Sequence, residues 1–403
     1  MQTAEDIDID FAGHEALQNT LAYIEDLFGA DLPFAPGMTF VGARFSACNT
    51  ATFNAKPDDR SPPEAGAMFS AGAADINPQR SVFRCLGEVA ETLSQFTRFR
   101  PDGMEILPAS AADAQAAARF AETHGARVAA GGWLTGREML SGAAALVPAG
   151  ICYRDLCGTP EPGAAFSTGC AGGRTLADAV QAATLELIER EAIALWWFAG
   201  APAKELDAAE VPGLRECVAT MRAGRTERRL IFLDLTTEFA IPVVAAVSAD
   251  AEGKDLAAGF AARLEVGEAA VAAVCELAQM ELANLLASAK RQRGMRLTES
   301  EAALLDRCRD LSLEDALFKA GTAQKGDAIA RPRDVSNLDV MLAEQGIERF
   351  VVELTSPILT VPVAKVVCPA LQTVPVGYRT ERFRAASEKY GLRSGAASRY
   401  GPI

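Results

Sequence analysis

Ser167-Thr168-Gly169-Cys170-Ala171-Gly172-Gly173-Arg174-Thr175-Leu176-Ala177-Asp178-Ala179 runs on into Leu185-Glu186-Leu187-Ile188-Glu189-Arg190. The first part reads as a glycine-rich loop. The second reads as a helix with carboxylates at i and i+3, about 60° apart on one face. Gly87-Glu88-Val89-Ala90-Glu91 repeats the pair, with Val82, Leu86, Val89, Leu93 and Phe96 as the opposite, apolar face. A third copy, Cys275-Glu276-Leu277-Ala278-Gln279, keeps only the first carboxylate and reads as scaffold or as the margin of a ligand site. Small-residue stretches precede all three helices: Ser70-Ala71-Gly72, the middle loop, and Ala257-Ala258-Gly259. They read as tight loops, and the long middle one lets backbone amides approach an anionic ligand near a helix start.

One such carboxylate pair is an ordinary solvated helix face. Two pairs in the same local frame, Glu88 with Glu91 and Glu186 with Glu189, are a donor set for hard divalent cations. Arg190 adds positive charge where a polyphosphate needs more than a metal ion can neutralise. Asp178, early in the same helix, can cap it or accept from a ligand hydroxyl.

A second repeat lies in the strands. Leu230 to Thr236 followed by Ile241 to Val247, and Phe350 to Thr355 followed by Val361 to Val367, each read as a strand pair. Pro242 and Pro362 sit near the start of each second run, where proline is tolerated. Helical patterns over 78–96, 176–199 and 265–290 alternate with these pairs. The fold class is α+β, one large domain with internal pseudo-repeats of helix and strand pairs. Residues 101–130 are alanine-rich and expected to be helical in part, and the polar, basic tail from Thr380 is expected to be loosely held.

Composition narrows the function. The 403 residues are 49% hydrophobic and 23% charged, the balance of a globular protein with a sizeable core. The net charge of −14 and the lack of a dense basic stripe argue against nucleic-acid binding. Met1 to Phe11 is acidic and has no signal-peptide pattern, and no uninterrupted apolar run reaches membrane-spanning length. The expectation is a cytoplasmic protein, with no membrane partner, that forms a homo-oligomer. Nine cysteines without paired spacing, Cys152 and Cys157 being nearest, read as reduced, mostly buried thiols. With only His14 and His124, proton transfer falls to carboxylates, water or the substrate.

The segment from Ser167 to Ala192 resembles the signature of YcaO-domain proteins: a Ser/Gly-rich loop, an acidic residue before alanine, then Glu-x-x-Glu-Arg-acidic-Ala. Gly87-Glu88 with Glu91 is similar to that family's earlier helix. Leu264 to Gln279, and Leu354 through Pro362 to Leu371, resemble its later segments. The likeness implies residues 1–64 as the N-terminal part of the domain, 65–375 as the core with an ATP/Mg site, and 376–403 as a tail. It implies ATP- and Mg2+-dependent phosphorylation of a peptide backbone amide oxygen, followed by attack of a Cys, Ser or Thr side chain to give an azoline, or of sulfide to give a thioamide. Carried over, Glu88, Glu91, Glu186 and Glu189 hold magnesium, and Ser167, Thr168, Gly169, Arg174, Asp178 and Arg190 contact the nucleotide. Glu186, Glu189 and Arg190 are then the catalytic set. Phosphoryl transfer is mostly positioning and charge neutralisation, so no histidine is demanded.

The chain departs from the motif in its cations. Ala73, Arg174 and Ala272 stand where the family carries Lys, Asn and Arg; Arg263 is nearby, and His14 with Thr20 correspond to an N-terminal Lys/Arg and Ser/Thr pair. The end, Arg399-Tyr400-Gly401-Pro402-Ile403, lacks the Pro-x-Pro-x-Pro of azoline-forming members. That favours the thioamide branch, acting on a ribosomally made peptide or a protein with a TfuA-type partner for sulfur delivery. A catalytically silent relative that binds a leader peptide or partner enzyme, and an ATP-dependent ligase of small carboxylates, are the competing readings.

Overall fold

The computed structural model describes residues 15–47, 68–112, 116–120, 131–156, 167–315, 317–319, 338–374, 378–394, 399 and 401–402. Met1 to Phe11, His14, His124, Cys157, Tyr400 and Ile403 lie outside them.

Three antiparallel sheets carry the fold. The first orders β1 (Ile24–Ala30), β2 (Thr39–Ser46) and β3 (Met68–Asp75). The second runs β5 (Ala144–Pro148), β4 (Trp133–Glu138), β11 (Phe350–Glu353), β12 (Val363–Val367), β6 (Cys170–Gly172). The third runs β10 (Ala257–Ala262), β9 (Val243–Ala249), β8 (Arg229–Asp234), β7 (Lys204–Glu205). One edge strand of each, β3, β6 and β10, leads directly into a long helix: α2 (Pro78–Ser94), α3 (Leu176–Trp197) and α5 (Val266–Gln292). Shorter helices are α1 (Glu15–Leu21), α4 (Leu214–Arg222), α6 (Glu299–Asp310), α7 (Leu338–Glu344) and α8 (Glu381–Tyr390).

The starts of the long helices are set locally. Asn77 accepts from the amides of Gln79 and Arg80, and Pro78 takes the first helical position, where no amide is needed. Thr175 and Asp178 form a reciprocal capping box at α3. Each helix then packs on its own strand and on that of the next unit: α2 on β3 and β6, α3 on β6 and β10, α5 on β10 and β3. The three units thus close into a ring. The strand pairs repeat down to single bonds. Val243 and Val363 donate to Thr236 and Thr355 hydroxyls, both at 3.2 Å. Arg263 and Gly173 donate to the carbonyls of Pro242 and Pro362 at 3.1 and 2.9 Å. The expected α+β domain with pseudo-repeats is what the chain forms.

The small-residue stretches differ from their reading as loops. Ser70–Gly72, Cys170–Gly172 and Ala257–Gly259 are strand, and only Ser167–Gly169 remains a turn. A close backbone neighbour, not a ligand, demands the small side chains at two of these sites. A Cβ on Gly259 would lie 2.2 Å from the Ala273 carbonyl oxygen and the Leu277 nitrogen of α5, and one on Gly173 would lie 2.4 Å from the Ala179 nitrogen.

The tail is also held more firmly than its polarity suggested. Phe383 of α8 is buried against Ala194, Leu195 and Ala199 of the α3 end. Arg393 donates to the Trp196 carbonyl at 2.9 Å, and Arg307 of α6 donates to that of Gly401 at 3.0 Å. In the alanine-rich stretch, helical turns occupy 109–111 and 116–120, and residues 121–130 are not described. α5 is long and apolar enough to cross a membrane by length and composition, although Glu276 and Glu281 interrupt its apolar run. Its Ala269, Ala273, Val274, Leu277 and Ala278 are buried in the core beneath β9 and β10, as in the core helix of a globular domain. The seven described cysteines are buried thiols, as expected.

Candidate nucleotide and metal site

The ring directs acidic side chains from all three long helices to one place and ties them to the edge strands. Glu91 of α2 accepts from the Gly172 amide at 2.7 Å. Glu186 of α3 accepts from Gly169 at 3.0 Å, and Glu189 from Ala262 at 3.1 Å. Glu276 of α5 accepts from Phe260 at 3.0 Å. Glu186 and Glu276 bind their own unit's strand or the turn before it, whereas Glu91 and Glu189 bind the next unit's. One i, i+3 pair therefore bridges two units.

Arg190 lies among them. Its Nε is 3.4 Å from Glu189 Oε1 and 3.7 Å from Glu186 Oε1. That nitrogen is buried and has no hydrogen-bond partner. Burial works against the Arg190 charge, but Glu189, Glu186, Glu276 and Glu88 hold its pKa above the ordinary guanidinium value. The carboxylates respond in the opposite sense. Burial pushes Glu186 up to about 7, opposed by Arg190 and reinforced by Glu189. Burial and then Glu189 push Glu276 up to about 7. Glu91 stands well above the carboxylate range through burial and Glu88, with Glu186 adding to it. Glu88 is raised by crowding against protein, offset by Arg84 and Arg190, yet its side chain is open to solvent. Five carboxylates thus crowd where their mutual repulsion is poorly screened.

Among the described residues, no three acidic, His or Cys side chains are gathered closely enough to hold a metal ion as they stand. Glu91, Glu186, Glu189 and Glu276 each have one oxygen turned onto a backbone amide. The donor set still fits a hard divalent cation, with oxygen ligands only, of which Glu88, Glu91, Glu186 and Glu276 are raised in pKa chiefly by burial; the buried Arg190 nitrogen without an acceptor fits an anionic group beside them.

The remaining predicted residues are placed as follows. Ser167 is exposed, while Thr168 is buried and lends its carbonyl to Lys365 Nζ at 2.7 Å. Asp178 is engaged in the capping box, and Arg174, 94% exposed, reaches no closer than 3.9 Å to it. Ala73 is sealed in the apolar core under α2, so its side chain faces away from the carboxylates. Thr20 is buried, its hydroxyl turned back onto the Ala16 carbonyl. Glu276, read as scaffold or as the margin of a ligand site, lies within the cluster. Arg84 and Lys365 escaped the sequence reading. A lysine inside the otherwise apolar run Val361 to Val367 was the available signal. Two cavities of about 430 and 770 Å³ lie along residues 97–107, the smaller also lined by Thr135 and Glu353; no member of the glutamate cluster lines either.

The model of the YcaO family, described as cyclodehydratases that bind ATP and Mg2+, matches residues 98–372. The chain belongs to the YcaO family. ATP and Mg2+, the cofactors implied by the sequence likeness, are those of the family's description. An uncharacterised protein in the tfuA 3′ region of Rhizobium leguminosarum bv. trifolii is 27% identical to this YcaO chain over 255 residues. That match covers 60% of this chain and 60% of the rhizobial protein. A heterocyclase solved in complex with substrate and cofactor matches with a TM-score of 0.67 at 19% identity, over 95% of this chain and 56% of its own. YcaO from Methanopyrus kandleri, bound with AMPPCP and Mg2+, matches with a TM-score of 0.56 at 17% identity, over 96% and 93%. At these identities the two structures show the fold. The chain spans about three fifths of the length of the rhizobial relative and just over half of the heterocyclase.

Proposed function

We propose that this YcaO protein uses ATP and Mg2+ to activate a backbone amide of a ribosomally made peptide or a protein, and that the product is a thioamide. The observation that carries the reading is the crowd of glutamates from three helices around Arg190, an anionic cage in need of cations. Magnesium bound there would neutralise phosphate charge. Glu88, Glu91, Glu186 and Glu189 would hold it, and Glu276 would complete the ring. Arg190 keeps Glu186 and Glu189 oriented and offers charge to a phosphate. The Ser167–Gly169 turn, Arg174 and Asp178 would border the nucleotide. The amide oxygen takes the γ-phosphoryl group of ATP and ADP leaves. Sulfide then attacks the carbonyl carbon and inorganic phosphate departs, exchanging oxygen for sulfur. The rhizobial relative's place beside tfuA supports sulfide as nucleophile and a TfuA-type partner as its source.

Mass spectrometry of a candidate peptide incubated with the protein, ATP, Mg2+ and sulfide tests the reading. Oxygen-for-sulfur exchange with ADP release is expected, and loss of water would assign azoline formation instead. Absence of Mg2+-dependent ATP binding in wild type, or unchanged affinity in Glu186→Gln and Glu189→Gln, would overturn it.

A further inference from the structure

β12 is an apolar strand with one exception. Lys365, its central residue, is 1% exposed, and its Nζ donates to the Thr168 carbonyl at 2.7 Å. The next residue, Val366, donates its amide to the Gly169 carbonyl at 2.7 Å. Thus β12 grips two successive carbonyls of the turn, while the Gly169 amide is left to Glu186. Gly169 cannot be replaced without strain, since its φ is +76° and a Cβ would lie 2.4 Å from the Val366 carbonyl oxygen.

The third unit supplies an internal control. Its matching strand pair, with Pro242 aligned on Pro362, has Ala245 where the second has Lys365. Ala245 stands opposite Phe260 in β10, as Lys365 stands opposite Cys170 in β6. The pair folds the same way with alanine, so the backbone does not require a lysine there. Burying an ammonium costs several kcal/mol unless something local repays it. Burial depresses the Lys365 pKa, while Cys170, Cys152 and Glu186 favour its charge and Arg154 opposes it. Glu186 is the carboxylate in that group.

We infer that Lys365 is a positioning residue for the magnesium and nucleotide site: its buried ammonium locks the Thr168 carbonyl, presents the Gly169 amide to Glu186, and sets a positive charge behind that carboxylate. The inference rests on the reading of Glu186 as a magnesium ligand.

The test compares full-length wild type, Lys365→Met and Glu186→Gln, each labelled with 15N-glycine. In Lys365→Met, Mg2+-ATP affinity should fall about tenfold or more, the range for a residue that orients a metal ligand. The Gly169 amide resonance should move in both variants, while that of Gly259 in the third unit stays. A folded Lys365→Met with native affinity, or with an unmoved Gly169 amide, overturns the inference. If Lys365→Met does not fold, the lysine 13Cε resonance of Lys365 decides between wild type and Glu186→Gln. Displacement supports the coupling and no displacement sinks it. If wild type binds no Mg2+-ATP, the proposed function fails and the positioning role falls with it, whereas binding in wild type with an unmoved Gly169 amide in Lys365→Met overturns the inference alone.

Discussion

Glu186 and Glu276 show how one residue type acquires a new chemistry from its surroundings. Both are pushed up to about 7 by burial among like charges. Between the ordinary carboxylate range and pH 7, the folded chain then holds protons that the unfolded chain releases. Stability without metal therefore falls as pH rises through that window, by on the order of a few kcal/mol for the two groups together. Thermal melts at pH 5.5 and 8 measure this, and the slope should shrink in Glu186→Gln, whose amide does not titrate. An equal slope in that variant would refute the assignment. Because magnesium competes with those protons, its affinity should rise over the same range.

At the scale of elements, the fit between helix and strand decides the site. Gly259 lets α5 lie directly on β10. Gly259→Ala should cost about 2–3 kcal/mol in chemical denaturation, since the clash is with backbone and cannot be relieved by a rotamer. Gly87, inside α2 with nothing near its missing Cβ, makes the contrasting case. Gly87→Ala should raise stability by about 0.5–1 kcal/mol through helix propensity. Helix α8 anchors α3 from the face away from the cluster. Arg382 donates to the fully buried Glu191 at 2.7 Å and stacks on Phe239. Arg382→Ala leaves Glu191, raised to about 7 by burial, without its counter-charge. The loss should be about 3 kcal/mol at pH 8, where that carboxyl is charged, and clearly smaller at pH 6, where it takes up a proton. Equal losses at both pH values would show that packing on Phe239 matters, not charge.

At the scale of the molecule, all three units contribute carboxylates to the proposed cage, so loading it should stabilise the whole chain. With Mg2+-ATP at a hundredfold excess over its dissociation constant, unfolding should cost about 2.7 kcal/mol more, and EDTA should abolish the gain. Much of this architecture was legible in the chain. The 3.6-residue period placed the long helices and their acidic pairs, alternating β-rich runs gave the strand pairs, and the glycine-rich turn with Glu186 to Arg190 marked the candidate site. These are local patterns, set by dihedral preferences and by which face of an element is apolar. What a local pattern could not convey is which units meet. Helix α2 closes on β6, α3 on β10 and α5 on β3, and only that packing brings Glu276 beside Arg190, turns Ala73 into the core and sets Lys365 against the turn that binds Glu186. Burial and the electric field depend on neighbours far apart in sequence. The amino-acid order by itself determined the elements and the kinds of donor. The tertiary packing decided which donors face one another, because desolvation and mutual repulsion exist only once distant segments share a space.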